Sequence, residues 1–201
     1  MLNILLAGIG GQGTVLAAKL LAQTALTRGW QVRTAETIGM AQRGGNVTSH
    51  VRMGDGGEEV LAPLLAKGTA DLVIAFEPGE AARCLEYLSP NGTLVTASTA
   101  IQPVTSALSA SAYRAQDVVE GIRASLEGGN AKLVVVDDAA IMEQVGNRKA
   151  LNVVLLACAL SQADVPLDLD DLRGAVQACV KPRFVDMNLA AIDVAASAYN
   201  G

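Results

Sequence analysis

Closely spaced cysteines, paired histidines and a lysine-bearing phosphate loop are all missing from this 201-residue chain. Its three cysteines, Cys84, Cys158 and Cys179, stand far apart inside apolar helical patterns. That spacing suits reduced, buried thiols and excludes both a disulfide framework and an iron-sulfur cluster, whose ligands come in tight runs. The single histidine, His50, has no cysteine or second histidine beside it to share a metal, and within an alternating stretch a hydrogen-bonded structural role outweighs general-base work. Charged residues make up only 17% of the chain, against about 25% in ordinary soluble domains. The net charge of −5 leaves no basic footprint for nucleic acid. The longest apolar stretch, Val153 to Leu160, is far short of the roughly 20 residues a bilayer crossing needs. No basic region precedes the first apolar strand, so neither a membrane span nor a signal peptide is expected, and the expected location is the cytoplasm. No Ser-His-acid constellation and no acidic metal cluster can be nominated, so no catalytic residue and no metal ligand is assigned.

What the chain does have is apolar material, 51% of its residues, enough for a single domain spanning 1–201 that buries roughly 70% of its unfolded surface. The excess is expected to form an Ala/Val/Leu core and a surface that a partner covers. Leu2 to Ala7, Trp30 to Ala35, Thr48 to Met53, Asp71 to Phe76, Thr93 to Ala97 and Lys132 to Val136 read as strands, the third with Val47, Ser49 and Val51 on one face. Thr14 to Arg28 and Pro78 to Leu88 read as helices, and Leu61 to Lys67 as a short one. Glu36 to Asn46 reads as a long polar connection, Pro90-Asn91-Gly92 as a turn and residues 98–112 as a loose connection. The alternation predicts an α/β, Rossmann-like fold, with a largely parallel sheet covered by helices on both faces. Its C-terminal third is helical over Ala150 to Ser161, Asp168 to Cys179, with Asp168 or Asp170 as cap, and Arg183 to Tyr199.

Two segments carry candidate chemistry. The first is Gly8-Ile9-Gly10-Gly11-Gln12-Gly13, set between a strand and a helix, the context in which glycines let the backbone approach a phosphate and the helix dipole favours an anion. Glu36, 23 residues beyond Gly13, stands where a dinucleotide fold places its ribose-binding acid. Two roles stay open for these residues, phosphate binding and helix-sheet packing. At Gly10 a side chain branched at Cβ is expected to damage the turn. The second segment runs from Glu36 to Arg52. In it Met40, Gln42, Arg43, Gly44, Gly45 and Asn46 form a loop too specialised for a plain turn, where the Arg43 guanidinium can meet a phosphate or carboxylate in parallel or lie on the surface.

Taken together, the glycine turn, Gly39-Met40-Ala41-Gln42-Arg43-Gly44-Gly45 and Ser49-His50-Val51-Arg52 resemble the gamma-type subunit or domain of 2-oxoacid:acceptor (ferredoxin) oxidoreductases. Within that group they are most similar to the beta subunit of the indolepyruvate enzymes. Supporting matches are Glu77 to Ala81, Tyr87 to Thr93, Gly146-Asn147 and Asn152 to Leu156. The resemblance implies a subunit without cofactors of its own. Thiamine diphosphate and iron-sulfur clusters would sit on a large partner subunit, coenzyme A would be co-substrate, and ferredoxin would accept the electrons. Such a complex decarboxylates a 2-oxoacid, an aryl pyruvate in the indolepyruvate group, to an acyl-CoA. An autonomous NAD-dependent dehydrogenase and a non-enzymatic nucleotide or coenzyme A module, homodimeric when isolated, are the alternatives. If Arg43 meets a phosphate, Arg43→Ala is expected to weaken coenzyme A binding by about 1.5–3 kcal/mol, the worth of a charged hydrogen bond. Calorimetry giving an unchanged dissociation constant would remove Arg43 from the ligand's contacts.

Overall fold

The computed structural model describes residues 1–39, 45–101 and 113–199. Six strands, β1 (Leu2–Ile9), β2 (Gln31–Ile38), β3 (Asn46–Gly54), β4 (Ala70–Ala75), β5 (Leu88–Ala97) and β6 (Lys132–Val136), form one sheet in the order β2-β3-β1-β4-β5-β6. β1, β4, β5 and β6 pair in parallel, whereas β3 runs antiparallel to both β1 and β2. The sheet is therefore mixed and mostly parallel. Among the described residues seven helices cover it: α1 (Thr14–Thr27), α2 (Pro78–Cys84), α3 (Ala115–Leu126), α4 (Asp138–Val145), α5 (Leu151–Gln162), α6 (Leu169–Cys179) and α7 (Val185–Ser197).

Each central strand buries both its faces. Ile4, Leu6, Leu72, Ile74 and Val95 join one core with side chains of α1 and α4 to α7, while Leu5, Ala7, Val73, Ala75 and Leu94 join a second with α2 and α3. This two-sided burial explains the continuous apolar runs in β1 and β4. It also overrides the alternation expected for β3, where Thr48, Ser49, His50 and Val51 are all buried.

The helix ends have local causes. α1 stops because Gly29 takes a left-handed conformation, φ 74°, which lets Trp30 N–H donate to Ala25 O and Gly29 N–H to Leu26 O, a pairing that satisfies the last carbonyls. α6 starts at a capping box in which Asp168 and Asp171 exchange side-chain and backbone bonds. Of the two capping residues expected there, it is Asp168 that caps.

Several expectations are corrected. No helix forms over Leu61 to Lys67, because Pro63 restricts its predecessor and side chains from the sheet claim the backbone. Arg33 Nε donates to Val60 O and Arg52 Nη1 to Ala62 O, and Leu65 N–H donates to His50 Nδ1. Pro90-Asn91-Gly92 is an irregularity inside β5 instead of a turn before it, since pairing jumps from Ala70 with Leu88 to Leu72 with Thr93. Glu36 belongs to β2 itself, and the polar connection shrinks to the tip of a β2-β3 hairpin. The helix from Pro78 ends at Cys84 and passes into a 3-10 turn over Leu85–Tyr87. α3 and α4 are additions to the expected helices, and most of the connection placed at 98–112 lies outside the described residues.

His50 is buried, accepts from Leu65 at 3.2 Å and meets Tyr87 edge-on, the structural role expected of it. Burial pushes its pKa below the ordinary 6.5, so the unfolded chain binds the proton more readily than the folded one. This contribution to stability is present above that value and is lost as pH falls through 6.5 towards the lower folded pKa. Urea unfolding from about pH 7.5 to about pH 5 is expected to show a steeper loss of stability in the native chain than in His50→Gln. Equal slopes would contradict the assignment.

Candidate anion-binding cleft

β1 hands the chain through α1 towards β2, and β4 hands it through α2 towards β5, in the opposite direction. The crevice between the carboxyl ends of β1 and β4 is thus the topological switch point at which open α/β sheets bind ligands. The glycine turn lies there. Gly11 and Gly13 have φ of 100° and 84°, conformations that a Cβ penalises. Gly10 is not among the positive-φ glycines, so the backbone requirement expected at Gly10 falls on its neighbours. Gly8 is crowded instead, since a Cβ there would stand 2.8 Å from Thr14 Oγ1 and 2.9 Å from Gln12 Oε1.

The turn opens α1 without a side-chain cap and with no acidic residue in the first turn. The first bond of the helical series is Ala17 N–H to Gly13 O, so the amides of Thr14, Val15 and Leu16 have no partner within the helix. Opposite, α5 also begins without a side-chain cap or acidic residue, preceded by a 3-10 turn that carries Arg148 and Lys149 and is capped by the Asn147 side chain on Lys149 N–H. The two helix starts, those two cations and the loop after β5 enclose a cleft of about 310 Å³. Its walls include Gly11, Gln12, Gly13, Asp138, Arg148 and Asn152.

The electrostatics favour an anion. The uncapped N-terminus of α1 presents about half a positive charge, and neither Arg148 nor Lys149 takes part in the ion pairs found among the described residues. Thr14 Oγ1, a hydroxyl able to donate to an anion, and Asn152 Oδ1, an acceptor that an anion does not satisfy, are buried without a hydrogen-bond partner among the described residues. Each such orphan costs roughly 1–3 kcal/mol. The one carboxylate in the wall, Asp138, is buried and spends Oδ1 on Ser98 N–H and Oγ–H and on Thr99 N–H, so it fixes the loop after β5.

Of the residues singled out from sequence, Gly8, Gly10, Gly11, Gln12 and Gly13 come together at this cleft or directly beneath it. Gly45 and Asn46 join them, because Gly10 N–H donates to Gly45 O at 2.8 Å and Asn46 pairs with Ile9. Met40, Gln42, Arg43 and Gly44 lie outside the described residues, but the roots of their loop are fixed beside the turn. Glu36 is not brought there. β3 separates β1 from β2, so Glu36 stands exposed on the edge strand, about 10 Å from β1 instead of the usual 5 Å. Ile9 and Gly10 N–H are moreover already bound, to Gln12 Oε1 and Gly45 O. A dinucleotide would therefore lack its ribose acid and part of its pyrophosphate cradle. Sequence reasoning missed Thr14, Asp138, Arg148, Lys149 and Asn152. The available signal was an asparagine cap followed by two cations at the start of an apolar helix.

Fold and cleft define an α/β domain with a glycine turn lining a candidate anion site and an antiparallel strand inserted beside β1. The family model for pyruvate ferredoxin/flavodoxin oxidoreductase matches residues 3–198, and the chain belongs to that family, as a subunit of a 2-oxoacid:ferredoxin oxidoreductase. It is 35% identical over 191 residues to indolepyruvate oxidoreductase subunit IorB of Archaeoglobus fulgidus, covering 95% of this chain and 92% of the relative. Identity to the subunit of the same name from Pyrococcus horikoshii is 34% over 196 residues, with 98% and 95% covered. The fold is shared with the gamma subunit of a keto/oxoacid ferredoxin oxidoreductase from Geobacter sulfurreducens, at a TM-score of 0.70 and 21% identity over 98% of this chain and 97% of that one. It also recurs in 31% of the chain of a 2-oxoglutarate:ferredoxin oxidoreductase from Magnetococcus marinus, at a TM-score of 0.71, 17% identity and 98% of this chain.

Of the two left-handed glycines Gly13 is the tighter, because a Cβ there would also approach Asn152 Nδ2 to 3.0 Å, whereas at Gly11 nothing lies within 4 Å. Gly13→Ala is expected to cost about 1–2 kcal/mol of left-handed backbone strain plus the displacement of Asn152, and Gly11→Ala the strain alone. Urea unfolding that ranks Gly11→Ala as the more damaging would contradict this.

Proposed function

We propose that this chain is the non-cofactor subunit of a 2-oxoacid:ferredoxin oxidoreductase acting on an aryl pyruvate such as indolepyruvate, and that its cleft receives the phosphates of coenzyme A. The observation that carries the reading is the convergence of the uncapped start of α1 with Arg148 and Lys149 on one cleft. The indolepyruvate part rests on the IorB relatives named above. The Magnetococcus enzyme, whose fold this chain shares in part, is described with coenzyme A and succinyl-CoA bound.

In this reading thiamine diphosphate on a large partner subunit supplies the carbon-carbon bond chemistry, iron-sulfur clusters there pass electrons to ferredoxin, and the complex works in the cytoplasm. The residues here do not fit a cluster: Cys84 lies in the core on one side of the sheet and Cys158 in the core on the other, so the thiols cannot converge. The role of this chain is to bind and orient. Amides of Thr14, Val15 and Leu16 with the Arg148 and Lys149 side chains hold phosphate, and Met40, Gln42, Arg43 and Gly44 are assigned to contact with coenzyme A or the partner. Exposed Leu16 and Ile101 give the cleft an apolar rim. Such a rim is suited to being covered by the large subunit, which would exclude water from the thioester-forming step.

Steady-state kinetics of the complex reconstituted from this chain and the thiamine-bearing subunit test the proposal. The Arg148→Ala/Lys149→Ala double variant is expected to raise KM for coenzyme A about tenfold, equivalent to about 1.4 kcal/mol, and to leave KM for indolepyruvate in place. An unchanged coenzyme A KM, or full turnover by the large subunit alone, would overturn it.

A further inference from the structure

We propose that Gln12 is a positioning residue whose carboxamide closes the switch-point crevice and holds the glycine turn, so that the free amides opening α1 face the anion. Its two polar atoms are used on two different strands' ends. Oε1 accepts from Ile9 N–H at 2.7 Å, at the end of β1, and Nε2 donates to Phe76 O at 3.0 Å, just past the end of β4. Gln12 N–H also donates to Ile9 O at 3.1 Å, so the turn is closed by backbone and side chain of one residue.

The geometry is demanding. A carboxamide offers a donor and an acceptor from one planar group, which matches the carbonyl and amide that face each other across the crevice. Gly8 makes the reach possible, since a Cβ there would stand 2.9 Å from Gln12 Oε1. The turn is further pinned by Gly10 N–H on Gly45 O. With Ile9, Gly10 and Gln12 amides all spent internally, the amides left for a ligand are those of Gly11, Gly13 and the first turn of α1. The anion seat is thereby displaced from the crevice to the helix start facing Arg148 and Asn152. Gln12 accordingly sets where phosphate binds without being the main group that binds it.

The inference rests on the reading of the cleft as a coenzyme A seat, and its test separates the two. In the reconstituted complex, Gln12→Ala is expected to raise KM for coenzyme A about fivefold with kcat within about twofold, the scale of one lost hydrogen bond. Gln12→Glu, equal in size, keeps an acceptor for Ile9 N–H but sets a carboxylate oxygen against Phe76 O, and is expected to raise KM as well. A purely structural role would lower the melting temperature and kcat together and leave KM alone. KM within twofold of the native value for both Gln12 variants, while Arg148→Ala/Lys149→Ala raises it, would overturn the role of Gln12 and spare the coenzyme A reading. No change in any of the three would overturn both.

Discussion

β3 lies antiparallel against β1 along its whole length, from Leu2 opposite Met53 to Ile9 opposite Asn46, and the layout of the cleft depends on that pairing. An all-parallel sheet would place β2 beside β1 and bring the acid at the end of β2 next to the glycine turn. Inserting β3 moves β2 outward by one strand and brings the β2-β3 hairpin loop to the carboxyl end of β1 in its place. The same topological slot that would hold a ribose hydroxyl is thus given to a loop rich in glycine, amide and arginine side chains. The frame of a nucleotide fold is retained while its dinucleotide chemistry is removed.

The second consequence is electrostatic. A helix N-terminus exposes unpaired amides and partial positive charge, and a side-chain cap or acidic residue in the first turn would neutralise both. α2, α4 and α6 have such caps, from Glu77, Asp137 and Asp168, whereas α1, whose first turn meets the cleft, has none, and α5 continues from a 3-10 turn capped by the neutral Asn147. In a chain of net charge −5, keeping carboxylates away from this one region and setting Arg148 and Lys149 there concentrates the attraction for an anion in a single place. Asp138 is tolerated in the wall because it carries backbone and hydroxyl donors of the neighbouring loop on one oxygen.

Strand, turn and helix over Leu2 to Thr27 were legible in the sequence because every cue there is local: an apolar run, glycines at a bend, then good helix formers with Ala17, Leu20, Leu21 and Ala25 on one face. The order of strands was not, because whether Asn46–Gly54 pairs beside β1 or at an edge is decided by side chains far away in sequence. Leu61 to Lys67 misled because its spacing suits a helix, while the structure's own answer comes from Arg33, Arg52 and His50, which take its backbone groups. Arg148, Lys149 and Asn152 were invisible as a site for a related reason. They become one only when the start of α5 is packed against Gly13, and nothing within ten residues of either partner announces the other.

A subunit that orients a charged co-substrate and leaves bond breaking to its partner faces a particular constraint. Its cleft must be open when alone and sealed when assembled. Rigidity at the floor and apolar exposure at the rim meet both needs. The floor is held by Gln12 across the crevice and by Asp138 on Ser98 and Thr99, bonds internal to the chain that do not need the ligand to form. The rim residues Leu16 and Ile101 keep between a third and a half of their surface in water, at 36% and 42%. That surface would be desolvated on docking, and a water-poor cleft strengthens each charge-assisted bond to phosphate. Under the proposed function, affinity for the partner and affinity for the anion would then reinforce one another through the same few side chains.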